Sequence, residues 1–220
     1  MTVAVDDVAR VLSHHLPIYA RRRPVYQAVM LEALERLWKP SYRRVLDVGG
    51  GTGVIAQAVA ELFDVGEVVS VDVQDRYLSS LTIGHQVYDG QRLPFDDASF
   101  DVVLFNNVIH HVDLEARAPL LTECRRVAPS GDLLIKDHLA VGAIDHARLT
   151  ALDAIGNIPF GGMIKARYLT DADWRRLAAA SGYRIGEAAS GTYRSGAMAA
   201  LFPNRLETTM RWEAITPPAG

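Results

Sequence analysis

The sequence has little cysteine, little excess of charge of either sign and no long apolar segment. Cys124 is the only cysteine, so the chain cannot close an internal disulfide, which suits a reducing compartment. The 23 Lys and Arg against 26 Asp and Glu leave a net charge of −3, without the basic excess typical of nucleic-acid-binding proteins. No apolar run reaches the ~18 residues of a membrane span, and the first residues lack the pattern of a signal peptide. We therefore expect a cytoplasmic protein that binds neither nucleic acid nor membrane.

Short apolar runs alternate along the chain with segments of helical periodicity. Continuous apolar runs are typical of parallel strands that helices cover on both faces. We predict strands at residues 44–48, 67–72, 85–88, 100–105 and 132–137, and a final antiparallel pair at 183–193 and 206–215. The pattern predicts an α/β fold with a doubly wound, mostly parallel, seven-stranded sheet whose last strand is antiparallel.

The same pattern divides the chain into three parts of one domain. Residues 1–40 form an N-terminal helical cover, residues 41–220 form the ligand-binding domain, and residues 140–170 are an insertion on the substrate side. Within the domain, Asp75 is predicted to begin a helix that ends at Leu81. Thr170, with an aspartate three residues later, predicts a helix capping box.

The strongest local signal is a glycine-rich turn between a predicted strand and a predicted helix. It reads Asp47-x-Gly49-x-Gly51-x-Gly53, and Asp72 ends the next strand 19 residues after Gly53 (72 − 53). Glycines let a ligand approach the main chain closely, and an acid at the second strand end can accept from ribose hydroxyls. Spacing alone leaves a nicotinamide dinucleotide possible, because Gly51-Thr-Gly-Val-Ile-Ala is a permitted variant of its fingerprint.

Further segments follow this turn in a specific order. They are YDGQRLPFDDASFDVV at residues 88–103, NNVIHHV at 106–112 and ECRRVAPSGDLLI at 123–135, where Ser130 replaces a usual glycine. Over roughly residues 43–140 the ordered set resembles the class I S-adenosylmethionine-dependent methyltransferases. The likeness is greatest to the small-molecule branch typified by ubiquinone/menaquinone-biosynthesis methyltransferases.

The resemblance implies S-adenosylmethionine as the cofactor and roles for several acids and glycines. Gly49, Gly51 and Gly53 would let the methionine part of the cofactor lie against the backbone. Asp47 would attract its ammonium group, and Asp72 would hold the ribose hydroxyls. A sulfonium cation suits a pocket with carboxylates, whereas a pyrophosphate does not.

The resemblance also implies how the adenine would be held. Asp89 would accept from the adenine amino group, and the backbone N–H of Gly90 would bond to the ring. Val73 and Leu93 would sandwich the adenine, and Asn106 would close the site.

Titratable groups at the ends of the fourth and fifth strands are the candidates for chemistry. His111 and His138 are candidate general bases, because histidine works near neutral pH. A site with no dedicated base stays open as an alternative. We expect no metal, because the sequence shows no metal-ligand spacing such as two histidines four residues apart.

The substrate is expected to contact the N-terminal helices and the segment after the fifth strand. The predicted substrate residues are His14, His15, Tyr19, His110, Phe160, Met163 and Tyr168. The alternative is that the apolar members of this set complete the core.

These features together predict methyl transfer to a small molecule, with an oxygen nucleophile favoured over nitrogen or carbon. Two other functions stay open: an NAD(P)-dependent oxidoreductase, and a protein that binds the cofactor without catalysis and acts through a partner. We expect a monomer or a homodimer.

Overall fold

The computed structural model describes residues 3–157 and 165–215 and centres on one sheet. Its strands are β1 (Arg44–Val48), β2 (Glu67–Asp72), β3 (Gly84–Val87), β4 (Val102–Asn106), β5 (Asp132–His138), β6 (Tyr183–Ala189) and β7 (Glu207–Ala214). The seven strands lie in the order β3-β2-β1-β4-β5-β7-β6. β7 runs antiparallel to β5 and β6, whereas the other pairs are parallel. The predicted sheet, with its antiparallel last strand, is therefore confirmed.

The carboxyl ends of the central strands meet at one edge of the sheet. β1 pairs in parallel with β2 on one side and with β4 on the other. The strands end there in Val48, Asp72 and Asn106. The chain winds outward from this point in both directions, and such switch points form the crevices where open α/β sheets bind ligands.

Helices cover both faces of the sheet. Within the described residues they are α1 (Val5–His15), α2 (Val25–Arg36), α3 (Val54–Leu62), α4 (Leu114–Val127), α5 (Ala143–Asn157), α6 (Asp171–Ala180) and α7 (Gly196–Leu201). Apolar side chains of α1, α2 and α3 share one buried cluster with the sheet, and those of α4 and α6 share a second. The sheet is thus doubly wound, and α1 and α2 pack into the same core as the strands.

The capping box that begins α6 is confirmed. Thr170 Oγ1 accepts from the Asp173 backbone at 3.2 Å, and Asp173 Oδ2 accepts from the Thr170 backbone at 3.0 Å. Two donors that a helix terminus leaves unpaired are thereby satisfied. A cap of this type contributes about 1 kcal/mol.

One local prediction is wrong. Residues 75–81 form an irregular segment with a turn instead of a helix, because this segment packs on the glycine loop. The Leu78 backbone donates to Thr52 at 3.2 Å, and a Cβ on Gly53 would lie 2.5 Å from Leu81 Cδ1. Residues 196–201, between the last two predicted strands, form the short helix α7.

Among residues 3–157 and 165–215, none of the helices combines the length and the apolar character that crossing a membrane requires. The division into residues 1–40, 41–220 and the insertion at 140–170 stays a prediction.

Candidate functional site

A cavity of about 550 Å³ opens at the carboxyl ends of β1, β2 and β4. On the β2 side, it is lined by Asp72, Val73, Tyr88 and Gly90, together with Gly49 and Gly51 of the glycine loop. On the side of β4 and β5, it is lined by Tyr19, Tyr26, Asn106, Asn107 and His111. The fold therefore brings most of the predicted cofactor residues and one predicted base to the same cavity.

The backbone N–H groups of the four glycines in the loop are bonded within the protein. Those of Gly49 and Gly50 donate to the Val71 carbonyl, at 2.7 and 3.2 Å. The N–H of Gly51 donates to the Asp72 carboxylate at 2.8 Å, and that of Gly53 donates to Gly50. A phosphate cradle needs such donors free. The loop is therefore built around a carboxylate instead of a phosphate, which disfavours the nicotinamide alternative.

Asp72 is the acid that the cavity presents beside this loop. It is 3% exposed, and its Oδ1 accepts from the backbone of Gln74 at 2.9 Å. Arg76 lies 3.5 Å from its Oδ2. These contacts fix the carboxylate at the end of β2, where its remaining acceptor capacity is available to a ligand.

Asp47 lies behind the loop, and it is 2% exposed. Ser70 Oγ donates to its Oδ2 at 2.8 Å. Burial raises the pKa of Asp47 to about 6, and the negative charge of Asp72 adds to the rise, whereas the Ser70 bond opposes it. Asp47 is not in the cavity wall, so its carboxylate can attract a ligand cation only electrostatically and not by direct contact.

The predicted adenine residues divide into two groups. Val73 and Gly90 line the cavity, and a Cβ on Gly90 would lie 3.2 Å from Val73 Cγ1. Asp89 lies at the surface, where the backbone N–H groups of Gln91 and Arg92 donate to its Oδ1 and lower its pKa. Leu93 is not brought to the cavity: it is 1% exposed and belongs to the core cluster that packs against α4.

A buried ammonium supports the cavity wall on the β5 side. Lys136 Nζ donates to the Tyr26 hydroxyl at 2.6 Å and to Asn107 Oδ1 at 2.7 Å. The same ammonium lies 2.6 Å from Glu207 Oε2. Burial of the ammonium lowers the pKa of Lys136, but the charge of Glu207 acts in the opposite direction, and the net effect raises the pKa. Asn107 Nδ2 donates to the same tyrosine oxygen at 2.9 Å. The two donors leave the hydroxyl proton of Tyr26 as the group it can offer to a ligand.

His111 lines the cavity next to this network. Its Nδ1 donates to the backbone carbonyl of Lys165 at 2.9 Å. In the neutral ring this bond places the lone pair on Nε2, the atom that can accept a proton. Burial lowers the pKa of His111, and His110 lowers it further, both of which favour the neutral ring.

Three other predicted residues lie in a separate buried cluster that does not line the cavity. They are His110, His138 and Tyr168, and Asp137 and Asp153 join them. Burial of the ring lowers the pKa of His110, but the neighbouring Asp137 carboxylate acts in the opposite direction, and the net effect raises the pKa to about 9. The structure thus separates the two candidate bases, with His111 at the cavity and His138 in the interior.

The remaining predicted substrate residues are dispersed. Tyr19 lines the cavity and accepts from Gln27 at 2.8 Å. His14 is exposed, and His15 is buried with its Nδ1 2.8 Å from Ser80 Oγ. Phe160 and Met163 lie outside the described residues.

Tyr26 and Asn107 are two of the cavity residues that sequence reasoning missed. Tyr26 lies on α2, whose periodicity does not distinguish a side chain facing a cavity from one facing the core. Asn107 carried a signal: it follows the end of β4, and it adopts a φ of +57°, which asparagine tolerates better than most residues.

The comparisons with known proteins agree on one family. The sequence pattern described as "methyltransferase domain" matches residues 46–135. The ubiquinone/menaquinone biosynthesis C-methyltransferase of Laribacter hongkongensis is 29% identical over 156 residues, which cover 61% of this chain and 62% of that protein. That of Ectopseudomonas mendocina is 30% identical over 179 residues, covering 70% and 66%. A malonyl-(acyl-carrier protein) O-methyltransferase of Geobacter sulfurreducens is 25% identical over 174 residues, covering 72% and 64%.

The chain thus spans about two thirds or less of the length of these relatives. Solved structures share the fold at lower identity. A Haloferax volcanii methyltransferase in complex with a methyltransferase activator has a TM-score of 0.68 and 16% identity, covering 98% of this chain and 100% of that one. The magnesium protoporphyrin IX methyltransferase of Synechocystis, with bound S-adenosylhomocysteine, has a TM-score of 0.58 and 16% identity, covering 90% and 87%. In sequence and fold, this chain is similar to the class I S-adenosylmethionine-dependent methyltransferases.

Proposed function

We propose that this chain transfers the methyl group of S-adenosylmethionine to an oxygen atom of a small molecule. One observation carries the proposal. The cavity of about 550 Å³ joins the Gly51–Asp72 pair on the β2 side to Tyr26 and His111 on the β4 side. A volume of this size is typical of sites for small ligands.

The residues around the glycine loop fit the cofactor. Gly51 has a φ of +59°, and the nearest atom to a Cβ there would be Arg76 Nη2 at 4.0 Å, so the backbone is open to close approach. Neither polar atom of the Asn106 side chain makes a hydrogen bond of normal geometry to a described residue, although that side chain lines the cavity. We assign the ribose to Asp72 and a polar contact with the cofactor to Asn106.

The other cofactor assignments follow the placement of the residues. Gly49 lines the cavity, and Val73 and Gly90 line it on the β2 side, where the adenine would lie. Gly53 is the N-cap of α3 and supports the backbone of the site without lining the cavity. Asp47 lies behind the loop and contributes its charge without lining the cavity. Asp89 keeps its proposed role at the adenine edge, whereas nothing in the placement of Leu93 supports direct contact.

Bound S-adenosylmethionine supplies an electrophilic methyl carbon on a positively charged sulfur. The chain's own contribution is to align the acceptor with that carbon, which supplies much of the acceleration in reactions of this type. The Tyr26 hydroxyl is held by Lys136 and Asn107, so its proton can orient an oxygen of the acceptor. A small acceptor with a hydroxyl or phenol group matches this arrangement.

His111 is assigned as the general base. Its Nδ1 bond to the Lys165 carbonyl places the lone pair of the neutral ring on Nε2, the atom that would take the proton of the acceptor hydroxyl. The new bond joins the acceptor oxygen to the methyl carbon, and the electron pair of the broken carbon–sulfur bond returns to sulfur. The products are a methyl ether, neutral S-adenosylhomocysteine and a proton on His111.

Carbon methylation is the second candidate, because relatives of 29–30% identity are named C-methyltransferases. The same base could remove a proton from a ring hydroxyl so that the adjacent carbon attacks. Nuclear magnetic resonance of the methylated product separates the two, since an O-methyl and a C-methyl group differ in chemical shift.

The test begins with the purified chain, S-adenosylmethionine and a panel of small phenols and hydroquinones, with S-adenosylhomocysteine formation as the readout. His111→Gln should lower kcat by roughly 10²–10⁴, the usual contribution of a general base, without changing the affinity for S-adenosylhomocysteine. The exposed His85→Gln is the matched control. Full activity in His111→Gln contradicts the assigned base. If the chain binds the cofactor but methylates no member of the panel, a non-catalytic binding protein is favoured.

A further inference from the structure

Three potential metal ligands from three elements converge in the interior. His110 lies in the turn after β4, His138 ends β5, and Asp153 lies in α5. One ligand atom from each lies within 4.8 Å of the other two. The residues are 1%, 5% and 8% exposed, so the cluster is shielded from solvent.

The distance from each histidine to Asp153 matches that between neighbouring ligands around one ion. His110 Nε2 lies 3.2 Å from Asp153 Oδ2, and His138 Nε2 lies 3.2 Å from Asp153 Oδ1. Zinc–ligand bonds of about 2.0–2.1 Å in a tetrahedral site place neighbouring donor atoms about 3.3 Å apart. His110 Nε2 also makes no hydrogen bond to any residue that the structure describes, although it is buried and faces the carboxylate.

The residues around the cluster orient the ligand atoms as outer-shell partners do. Asp137 Oδ1 lies 2.5 Å from His110 Nδ1, which fixes the ring and leaves Nε2 for an ion. The Tyr168 hydroxyl donates to Asp153 Oδ2 at 2.7 Å. A carboxylate behind a ligating histidine is the usual arrangement at zinc.

The charge of the cluster also favours a divalent ion. Asp137 and Asp153 are two buried carboxylates, and buried charges require compensation. Without an ion, a proton on His110 offsets part of this charge between Asp137 and Asp153. An ion bound at His110 Nε2 would replace that proton, and with both histidines then neutral, one divalent cation offsets both carboxylates. Two imidazole nitrogens and one carboxylate oxygen suit zinc, whereas magnesium and calcium prefer oxygen ligands alone.

We propose that His110, His138 and Asp153 bind one Zn²⁺ ion. The sequence did not predict this site because the ligands are separated by 28 and 15 residues (138 − 110 and 153 − 138), far from any compact metal motif. The ring of His110 lies 4.0 Å from that of His111, so the ion would hold the turn that carries a cavity residue. The site does not depend on which acceptor the cavity binds.

Metal binding is tested first on the full wild-type chain. The chain is stripped with a chelator, titrated with ZnCl₂ or CoCl₂, dialysed and measured by elemental analysis. We expect one equivalent of retained zinc, a visible d–d band of tetrahedral Co²⁺ that Zn²⁺ removes, and a higher unfolding temperature with zinc. Absence of both retained zinc and the cobalt band overturns the proposal.

Asp153 and Asp145, two buried aspartates of α5, form a matched pair of test and control variants, and Asp137 of β5 supplies a third variant. Asp153→Asn should weaken zinc binding by more than the roughly 10- to 100-fold typical of losing an outer-shell partner, and Asp137→Asn should weaken it within that range. Asp145, which is 4% exposed and pairs with Arg205, is the control. Asp145→Asn should leave zinc affinity unchanged, and an equal loss in both α5 variants would contradict a specific site. Binding of S-adenosylhomocysteine, measured in parallel, shows whether each variant retains the glycine-loop cavity.

Discussion

Lys136 Nζ donates to the Tyr26 hydroxyl across 2.6 Å, joining the end of β5 to a helix 110 residues earlier in the chain. The ammonium is also 2.6 Å from Glu207, so its charge is offset inside the protein. Tyr26 is therefore held from one side by a permanent donor, while its own proton is left for a ligand. This pair connects the proposed acceptor site to the interior of the sheet.

Tyr26→Phe should lower kcat/KM for the acceptor about 10- to 100-fold, since a hydrogen bond involving a charged partner contributes about 1.5–3 kcal/mol. Steady-state kinetics checks this, with calorimetric binding of S-adenosylhomocysteine expected to stay unchanged. Tyr193→Phe is the control, because that hydroxyl donates to Glu207 and the ring lies 5.0 Å from Tyr26. If both variants lose activity equally, the effect belongs to the buried network and not to the acceptor.

Asp72→Asn should weaken S-adenosylhomocysteine binding by about 10- to 100-fold per ribose hydrogen bond lost, because bonds to a charged acceptor contribute about 1.5–3 kcal/mol. Isothermal titration calorimetry measures the affinity, and thermal unfolding reports any change in the loop that Asp72 holds through Gly51. Asp75→Asn changes an exposed aspartate three residues later and should bind normally. Unchanged affinity in Asp72→Asn would remove this residue from the proposed site.

The part of the site that the sequence predicted well is formed by neighbours along the chain. β1, its glycine turn and the acid ending β2 are defined by short apolar runs and by glycines, and their pairing in a parallel sheet brings them together. Asp72 and Gly51 therefore meet where expected, at 2.8 Å.

The parts that could not be predicted depend on packing between distant segments. Tyr26 reaches the cavity only because α2 packs on the sheet near Lys136, and nothing local to α2 encodes that side of the helix. His138 shared its predicted role with His111, but β5 is buried along its whole length, and the side chain packs toward α5. The irregular segment at residues 75–81 likewise follows from contact with the glycine loop instead of helix propensity.

Gly51→Ala and Gly182→Ala separate the cost of a backbone conformation from the cost of filling the cavity. Both glycines have positive φ, +59° and +75°, and a Cβ meets no atom closer than 4.0 Å at Gly51 and none within 4 Å at Gly182. Each variant should therefore lose about 1–2 kcal/mol of stability, the usual cost of the left-handed conformation. Only Gly51→Ala should also lose cofactor affinity, because its methyl group would project into the cavity. Chemical denaturation and calorimetry measure the two quantities, and equal affinity in both variants would contradict close approach at Gly51.

Asp47→Asn should stabilise the protein at alkaline pH. Burial raises the pKa of Asp47 to about 6, so folding favours the protonated form. The stability gained from this group is complete below the unfolded-state pKa of about 3.9, and it is lost as the pH rises through the folded-state value. An asparagine has no charge to bury, so the free energy of unfolding of Asp47→Asn should exceed that of the wild type by roughly 1–3 kcal/mol at pH 8, with the difference shrinking toward pH 4. Urea denaturation across this pH range, with Asp64→Asn as an exposed control, measures the difference. A gap that stays constant with pH would mean that the Asp47 carboxylate is already ionised in the folded protein at pH 4.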